Sequence, residues 1–264
     1  MEKFGTKINL SDVSFLIPVR LDSIDRLENI EMCCSYLMKN FNTNIKILEG
    51  AAHNNKILRK LLNSSIDIVF EEDADPVFHR TRYINQMVKT CQTRIIAVWD
   101  TDVIVPAKQI ADAVELIRKG EFDFTYPYKN KFYETSLILR KHYLQTGDIN
   151  VFESNQEKMK RAYMPDPVGG GFFALKSAYS EAGMENENFY GWGVEDGERI
   201  NRWNKLGYKV KHVEGALYHL THQRGANSVF QNNLQRQWKR EELKRLFSMS
   251  KEELSDEIKS WKHI

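Results

Sequence analysis

The sequence predicts an α/β fold in which helices flank a mostly parallel sheet. Two observations support this prediction: apolar, β-branched runs recur through the first half, and stretches with helical spacing separate them. Strands that alternate with helices pair in parallel through right-handed crossovers. The chain has 264 residues, of which 42% are hydrophobic, so it is long enough to bury the core of one large α/β domain.

The predicted elements follow one another along the first half. Strands are predicted at residues 15–19, 45–49, 66–70, 94–99 and 122–126. Helices are predicted at residues 25–38, 56–62, 81–91 and 106–118, the last opening with Pro106 at its first position. The run 94–99 is the most strand-like of the chain and is typical of a buried parallel strand.

The second half changes in character. Residues 128–165 are rich in Tyr, Lys, Glu and Asn, which predicts a helical or loop-rich insertion. A helix is predicted near residues 195–206 and a strand near 208–213. Residues 234–264 predict a helical tail, which carries the basic residues Arg236, Lys239, Arg240, Lys244 and Arg245 and the apolar residues Trp238, Leu243, Leu246, Phe247 and Trp261.

Composition excludes some classes of protein. A formal net charge of +2 argues against a dedicated nucleic-acid binder. Cys33, Cys34 and Cys91 have no metal-ligand spacing, so reduced thiols are expected. Residues 1–10 lack the apolar stretch of a signal peptide, and no apolar run reaches the roughly 18–20 residues that a membrane helix needs. We therefore expect a cytoplasmic protein.

The first chemical motif is Asp100-Thr101-Asp102, directly after the strand at 94–99. Ligands of open α/β sheets bind outside the carboxyl ends of the strands. Two carboxylates there can face a hard divalent cation that also binds substrate phosphates. The alternative is a solvated turn or a helix N-cap without a metal.

The second motif is the pair His219 and His222, which can share a helix face or bracket a turn. Imidazole suits Mn²⁺ or Zn²⁺, and together with an upstream Asp-x-Asp it would complete a mixed oxygen–nitrogen ligand set. Zinc fits less well because no third His or Cys ligand is evident. The alternative is a pair of structural histidines.

The third motif surrounds Trp192, which lies between two glycines and is followed by Glu195 and Asp196. An indole ring clear of bulky neighbours can stack on a sugar, and nearby carboxylates can bind sugar hydroxyls. A carboxylate fixed at a helix start also suits a general base. The alternative is a structural turn whose acids favour the helix N-terminus.

In this order and spacing, the motifs resemble the β-1,4-galactosyltransferase family and its bacterial capsular relatives, which have a GT-A fold. The resemblance covers residues 15–224. It implies that the nucleotide-sugar donor contacts Pro18, Arg20, Phe78, Arg80, Asp100, Asp102, Gly170 and Gly171. It further implies that Asp102, His219 and His222 bind the metal, that Trp192, Glu195 and Asp196 contact the acceptor, and that Asp196 is the catalytic base.

The chain departs from the family pattern at four positions. Val194 and Gly197 replace a glycine and an acidic residue, and His219 stands where vertebrate members have a methionine ligand. Val168 stands where members that use galactose place a tyrosine near C2 of the donor sugar. The smaller valine leaves room for an N-acetyl group and favours UDP-GalNAc over UDP-galactose.

The resemblance implies an inverting transfer that depends on Mn²⁺ (or Mg²⁺). A hexose or N-acetylhexosamine (GalNAc or Gal) would move from a UDP-sugar to a saccharide or lipid-linked saccharide acceptor in capsular or surface polysaccharide synthesis. The alternatives are a metal-dependent sugar nucleotidyltransferase or sugar-phosphate hydrolase, and a non-catalytic carbohydrate-binding protein.

The same resemblance divides the chain into parts. It implies one GT-A domain at residues 1–230, with a nucleotide-binding half at 11–105 and an acceptor and catalytic half at 106–230. The helical tail at 231–264 either packs on this domain or contacts the inner face of a membrane near a lipid-linked acceptor.

Overall fold

A computed structural model describes residues 6–165 and 167–261, which form two sheets surrounded by helices. Strands β1 to β11 are Ile8–Val19, Phe41–Ala51, Asp67–Glu72, Ile95–Trp99, Val103–Ile104, Phe124–Tyr126, Lys131–Glu134, Lys160–Ala162, Gly171–Leu175, Val210–His212 and Ala216–His219. Helices α1 to α10 are Ile24–Asn40, Ile57–Leu61, Arg80–Thr90, Ala107–Arg118, Leu137–Thr146, Asn150–Glu153, Lys176–Glu181, Glu195–Leu206, Asn233–Ser248 and Lys251–Lys259. Short 3₁₀ turns lie at Gln156–Lys158 and Ala226–Ser228.

The larger sheet has the strand order β10-β6-β9-β4-β1-β2-β3. Strand β1 pairs in parallel with β2 and with β4, and β2 pairs in parallel with β3. The centre of the sheet is fully buried, as expected for strands covered by helices on both faces. The predicted α/β class, with a central sheet flanked by helices, is confirmed.

Strand β9 is an exception to the parallel pattern. It lies between β4 and β6 and pairs antiparallel with both, so that Ile96 faces Ala174 and Thr125 faces Phe173. No strand was predicted at residues 171–175. A short apolar run with no alternation shows neither its direction nor its partners.

A second sheet of four short strands has the order β5-β11-β7-β8. Two of these strands, β7 and β8, lie within residues 128–165, so the expectation of helices and loops there was incomplete. Strand β11 pairs antiparallel with β5, and this register sets His219 opposite Val103. The second sheet therefore brings the His219 segment beside the loop that follows β4.

Element boundaries differ from the predicted ones at several places. Strands β1 and β2 are longer than expected, and Pro106 precedes α4 as its N-cap rather than opening it. The α8 helix has the predicted bounds, Glu195–Leu206.

The tail forms two helices, α9 and α10, separated at Ser250 by a capping box. Apolar residues of the tail pack with Phe189 in a separate small core of Phe189, Leu246, Leu254, Ile258 and Trp261. The tail thus packs on the rest of the chain, whereas Trp238 and Phe247 stay exposed. In the described part of the chain, no helix has the length and apolar character needed to cross a membrane.

Candidate active site

A cleft of about 460 Å³ opens at the carboxyl ends of β1 and β4. Its walls include thirteen of the fourteen residues that the sequence analysis selected: Pro18, Arg20, Phe78, Arg80, Asp100, Asp102, Val168, Gly170, Trp192, Glu195, Asp196, His219 and His222. The exception is Gly171, which lies behind the wall. A side chain there would place its Cβ 2.6 Å from the Trp99 ring, so this glycine is needed for packing.

Asp102, His219 and His222 converge at the base of the cleft. Their potential ligand atoms all lie within 4.8 Å of one another. Nε2 of His219 lies 3.3 Å from Oδ1 of Asp102, and Nε2 of His222 lies 3.2 Å from Oδ2. His219 ends β11 and His222 lies in the irregular segment that follows, so the two histidines do not share a helix face.

Hydrogen bonding orients this cluster for a cation. Nδ1 of His222 lies 2.9 Å from the Gln223 carbonyl and donates its proton there, which leaves the Nε2 lone pair of a neutral ring facing Asp102. Oδ1 of Asp102 is buried and accepts no hydrogen bond from the described residues. A lone pair that faces a carboxylate is repulsive unless a proton or a cation lies between them.

The charges of the cluster are tightly coupled. Burial alone would raise the pKa of Asp102, but the nearby His219 and His222 outweigh burial and hold that pKa well below its usual range. When Nε2 of His222 is protonated it donates to Asp102, and this hydrogen bond raises the pKa of His222. The site therefore favours positive charge around an ionised Asp102, and its one carboxylate and two imidazoles fit a divalent metal such as Mn²⁺.

Asp100 and Arg80 form an ion pair on the cleft wall. Nη2 of Arg80 donates to Oδ1 of Asp100 at 2.6 Å, while the buried Nη1 has no hydrogen-bond partner among the described residues. Burial raises the pKa of Asp100, and Arg80 opposes this rise. Arg80 retains a donor for a further anionic group in the cleft.

Arg20 and Phe78 form the neighbouring wall. Arg20 donates to the carbonyls of Gly50 and Asp75 at 2.9 and 2.6 Å, and its guanidinium lies 5.6 Å from the Phe78 ring centroid. The side chain of Asn227 accepts from the backbone N–H of Phe78 at 2.9 Å. Asn227 was missed by the sequence analysis because no motif surrounds it.

Gly169 and Gly170 keep one wall of the cleft open. Gly170 has φ +86°, and its carbonyl accepts from the N–H of Asp100 at 2.9 Å. A Cβ at Gly169 would lie 2.9 Å from Oδ2 of Asp196. A side chain at Gly170 would strain the backbone, and a side chain at Gly169 would crowd the carboxylate of Asp196.

Glu195 and Asp196 start α8 and enter the cleft side by side. Arg199 donates to Oδ1 of Asp196, and it also donates to both carboxylate oxygens of Glu185 at 2.9 Å. Arg199 and Glu185 are fully buried, so Asp196 is held by a rigid ion-pair network. Oδ2 of Asp196 lies on the side of Gly169, facing the cleft.

Glu195 has a different environment from Asp196. Its side chain is buried, and Oε2 has no hydrogen-bond partner among the described residues. Burial, with Asp196 adding to it, raises the pKa of Glu195 to about 7. Lys239 opposes this rise by its positive charge.

The loop that carries Trp192 is fastened by α9. Nζ of Lys239 is buried and donates to the carbonyls of Gly191 and Trp192 at 3.0 and 2.8 Å. Phe230 packs edge-on against the Trp192 ring at 5.3 Å. Burial lowers the pKa of Lys239 to about 8, although Glu195 opposes this shift.

Other cleft residues were outside the predicted set. They are Val19, Asp22, Arg26, Thr101, Phe132, Tyr163, Pro167, Gly169, Gly193, Val194, Arg224, Asn227, Ser228, Phe230 and Arg240. Most come from the 128–165 segment and the loops beside the motifs. Thr101, Gly193 and Val194 lie within the predicted motifs, and Arg240 is one of the basic residues of the tail, whereas the other residues carried no earlier signal.

Comparison with known proteins gives one match to a protein family. A family model described as the N-terminal domain of galactosyltransferase matches residues 152–224. That span includes Trp192, Glu195, Asp196 and both cluster histidines. No curated protein matches the sequence.

Solved structures share the fold at low sequence identity. The catalytic domain of Drosophila β1,4-galactosyltransferase 7, in complex with xylobiose, superposes with a TM-score of 0.55 at 15% identity, covering 88% of this chain and 79% of that one. Glucosyl-3-phosphoglycerate synthase from Mycobacterium tuberculosis, in complex with Mn²⁺, UDP and phosphoglyceric acid, gives 0.50 at 14% identity, covering 80% and 71%. A mannosyltransferase from Pyrobaculum calidifontis, with GDP-mannose and Mn²⁺, gives 0.51 at 14% identity, covering 81% and 58%. The fold is therefore that of GT-A glycosyltransferases.

Proposed function

We propose that this protein is a metal-dependent, inverting glycosyltransferase that uses a UDP-sugar donor and a saccharide acceptor. The observation that carries the proposal is the convergence of Asp102, His219 and His222 in the same cleft as Glu195 and Asp196. One cluster suits a cation and the donor diphosphate, and the other suits an acceptor hydroxyl. The family match over residues 152–224 and the GT-A neighbours support this assignment.

The UDP-sugar would bind between Asp102, His219 and His222, which we call the metal cluster, and the two arginines Arg20 and Arg80. Asp102, His219 and His222 would hold Mn²⁺ or Mg²⁺, which when bound supplies positive charge for the diphosphate of the leaving UDP. Nη1 of Arg80 has no partner among the described residues, so it can donate a hydrogen bond to the diphosphate of the UDP-sugar. Arg20, Phe78 and Pro18 line the end of the cleft that takes the nucleotide. Asp100 keeps Arg80 in position, and Gly170, whose carbonyl accepts from the N–H of Asp100, lines the donor side.

The acceptor side places a base beside a sugar-binding surface. Arg199 occupies Oδ1 of Asp196, so Oδ2 accepts the proton of the acceptor hydroxyl as its oxygen attacks the anomeric carbon. The bond from that carbon to the UDP oxygen breaks on the opposite face, which inverts the configuration. Glu195 binds acceptor hydroxyls, and Trp192 packs against the sugar.

The decisive experiment is Asp196→Asn. Loss of a well-placed general base lowers turnover by about 10²–10⁴-fold, whereas UDP binding in the presence of Mn²⁺ stays unchanged. UDP release with a panel of saccharides measures turnover, and calorimetry measures UDP binding. Asp22→Asn, which alters another carboxylate of the cleft, is the matched control.

The same assay separates the rival activities. Normal turnover in Asp196→Asn would reject the assigned base. Release of pyrophosphate or phosphate in place of UDP would favour a sugar nucleotidyltransferase or hydrolase. Saccharide binding without any donor turnover would favour a non-catalytic carbohydrate-binding protein.

The finer parts of the proposal concern the donor sugar and the pathway. Val168 is half-buried on the cleft wall, and its small side chain favours GalNAc over Gal as the transferred sugar. Capsular or surface polysaccharide synthesis is the setting that the sequence resemblance implies. A donor screen with UDP-GalNAc, UDP-galactose, UDP-GlcNAc and UDP-glucose tests the sugar directly.

A peripheral membrane contact through the tail is a further part of this proposal. The exposed side chains of Leu234, Trp238 and Phe247 support it, because large exposed apolar groups favour a lipid interface. Co-sedimentation with anionic vesicles, compared between the native chain and Trp238→Ser, tests it. Equal sedimentation of the two proteins would reject a membrane role for Trp238.

A further inference from the structure

Five arginines line the cleft, and four of them have a carboxylate partner. Arg20 pairs with Asp73, Arg26 with Asp22, Arg80 with Asp100 and Arg224 with Glu134. Arg240 forms no ion pair with any of the described residues, although it borders a cleft that contains several carboxylates. Its guanidinium is exposed at the cleft edge and keeps its donors for a ligand.

Arg240 lies on the acceptor side of the cleft. It follows Lys239, whose ammonium group binds the carbonyls of Gly191 and Trp192. The proposed donor side contains Arg20, which directly follows β1, and Arg80, which starts α3. An anion that reaches Arg240 is therefore part of the acceptor or attached to it.

Arg240 continues into a row of cations along α9, which we call the α9 basic stripe: Arg236, Arg240 and Lys244. They are four residues apart, so they lie on one flank of the helix. All three are exposed, and neither Arg236 nor Lys244 has an ion pair with a described residue. They line a shallow hollow that shares Arg240 with the cleft and contains one carboxylate, that of Glu241.

Two features indicate that the stripe serves a ligand rather than a membrane. Like charges four residues apart repel and destabilise a helix, and a bound anion removes that repulsion. At about 100° per residue, Leu234 and Trp238 fall on the other flank of α9 and Phe247 falls among the basic residues, so the exposed apolar side chains do not form one face. A membrane-binding helix would place its basic residues on both borders of one apolar face.

We propose that the α9 basic stripe binds anionic groups of the acceptor, carboxylates or phosphates, beyond the sugar that receives the transferred residue. This inference rests on the proposed glycosyltransferase function. The acceptor class is then an acidic saccharide or a saccharide linked through a diphosphate. The Trp192 face binds the terminal sugar, and the charged remainder follows α9 away from the cleft.

Matched acceptor pairs test the proposal. One pair is a tetrasaccharide of alternating hexuronate and N-acetylhexosamine and its carboxyl-reduced form. The other is an N-acetylglucosaminyl alkyl diphosphate and the uncharged alkyl glycoside. UDP release in the presence of Mn²⁺ gives the KM of each, and calorimetry with UDP and Mn²⁺ gives the Kd where turnover is slow.

We expect at least one charged acceptor to be preferred over its uncharged partner by about tenfold or more. Arg240→Gln should remove most of that preference, and raised ionic strength should weaken it in the native enzyme. Lys119→Gln, which removes an exposed cation at the far end of α4, is the control and should keep the preference. The pair that shows the preference identifies carboxylate or phosphate as the recognised group.

Three results would overturn the proposal that the α9 basic stripe binds the acceptor. The first is equal KM and Kd values within both pairs, and the second is an unchanged preference in Arg240→Gln. The third is that Arg240→Gln weakens binding to anionic vesicles but leaves the acceptor preference unchanged, which would assign the stripe to a membrane. Absence of UDP release and of saccharide binding with every acceptor would instead reject the proposed function, and the stripe with it.

Discussion

Glu195 and Asp196 are adjacent in sequence but differ in environment. Asp196 is held by Arg199, whereas Oε2 of Glu195 is buried without a partner among the described residues. Burial raises the pKa of Glu195 to about 7, so part of the Glu195 population carries a proton near neutral pH. This difference in environment fits two roles in the proposed site, hydroxyl binding by Glu195 and proton acceptance by Asp196.

This environment predicts a pH dependence of stability. The folded-state pKa of Glu195 lies above its ordinary value of 4.5, so the folded protein binds the proton more tightly than the unfolded chain does. The stabilisation is therefore complete below about pH 4.5 and is lost as the pH rises through about 7. We expect Glu195→Gln to become more stable relative to the native protein as the pH rises over this interval.

Urea unfolding of the ligand-free proteins at pH 5 and pH 7.5 measures this effect. Glu72→Gln, at an exposed position at the end of β3, is the control and should not alter the pH dependence. A constant difference in stability between Glu195→Gln and the native protein at both pH values would contradict the prediction.

Val168 predicts a change of donor preference. Tyrosine is larger than valine, and in the proposed donor site it would fill the space near C2 of the donor sugar, where an N-acetyl group needs room. We expect Val168→Tyr to shift the ratio of kcat/KM from UDP-GalNAc towards UDP-galactose by about tenfold or more, the range of a well-placed steric contact. Val168→Thr, which keeps the shape of the side chain, should leave the ratio unchanged. An unaltered ratio in Val168→Tyr would remove Val168 from the donor site.

At the level of elements, the sequence predicts the first half better than the second. The strands β1 to β4 are apolar runs separated by helices, so their periodicity shows both their type and their parallel pairing. Strands β7, β8 and β11 have four residues or fewer and pair with distant segments. Tertiary contacts define such strands, and local pattern does not reveal them.

In the site, too, local sequence pattern identifies some residues, while others are defined only by tertiary contacts. Asp102 was selected from its position after a strand, and His222 from its spacing and from the family resemblance. Lys239 was recognised only as a basic residue of the tail, because burial of an ammonium group against two carbonyls depends on how α9 packs. Val194 has φ +68°, a backbone conformation that favours glycine, the residue that the resembled family has at this position.

The contact between α9 and the Trp192 loop gives a prediction for an element. Lys239→Met keeps the length of the side chain but leaves two carbonyls of the loop without their donor. The loop then loses its position, so we expect acceptor KM to rise by about tenfold while UDP affinity stays unchanged. Steady-state kinetics and calorimetry measure the two quantities.

Lys205→Met is the matched control for Lys239. Lys205 also donates to tail carbonyls, those of Phe247 and Met249 at 2.6 and 2.7 Å, but it lies at the far end of α8 from Trp192. Both substitutions should lower the melting temperature, and only Lys239→Met should raise acceptor KM. An equal rise of KM in both variants would mean that the tail acts through general stability.

On the scale of the whole molecule, the metal cluster joins the two sheets. Asp102 follows β4 of the large sheet, and His219 ends β11 of the small one. A ligand that binds only the folded state stabilises it by about 2.7 kcal/mol at 100 times its Kd. For a chain of this size we therefore expect Mn²⁺ and UDP together to raise the melting temperature by about 5–10 °C, and EDTA to reverse the rise.

Asp102→Asn should lose most of that rise, because it removes the charge on which His219 and His222 converge. Asp22→Asn changes a carboxylate of the same cleft outside the metal cluster, so it should keep the full rise. The comparison separates a specific metal site from general attraction of cations to an acidic cleft. If Asp102→Asn and the native protein gained the same stability from Mn²⁺ and UDP, the cation would bind elsewhere and the donor site would have to be reassigned.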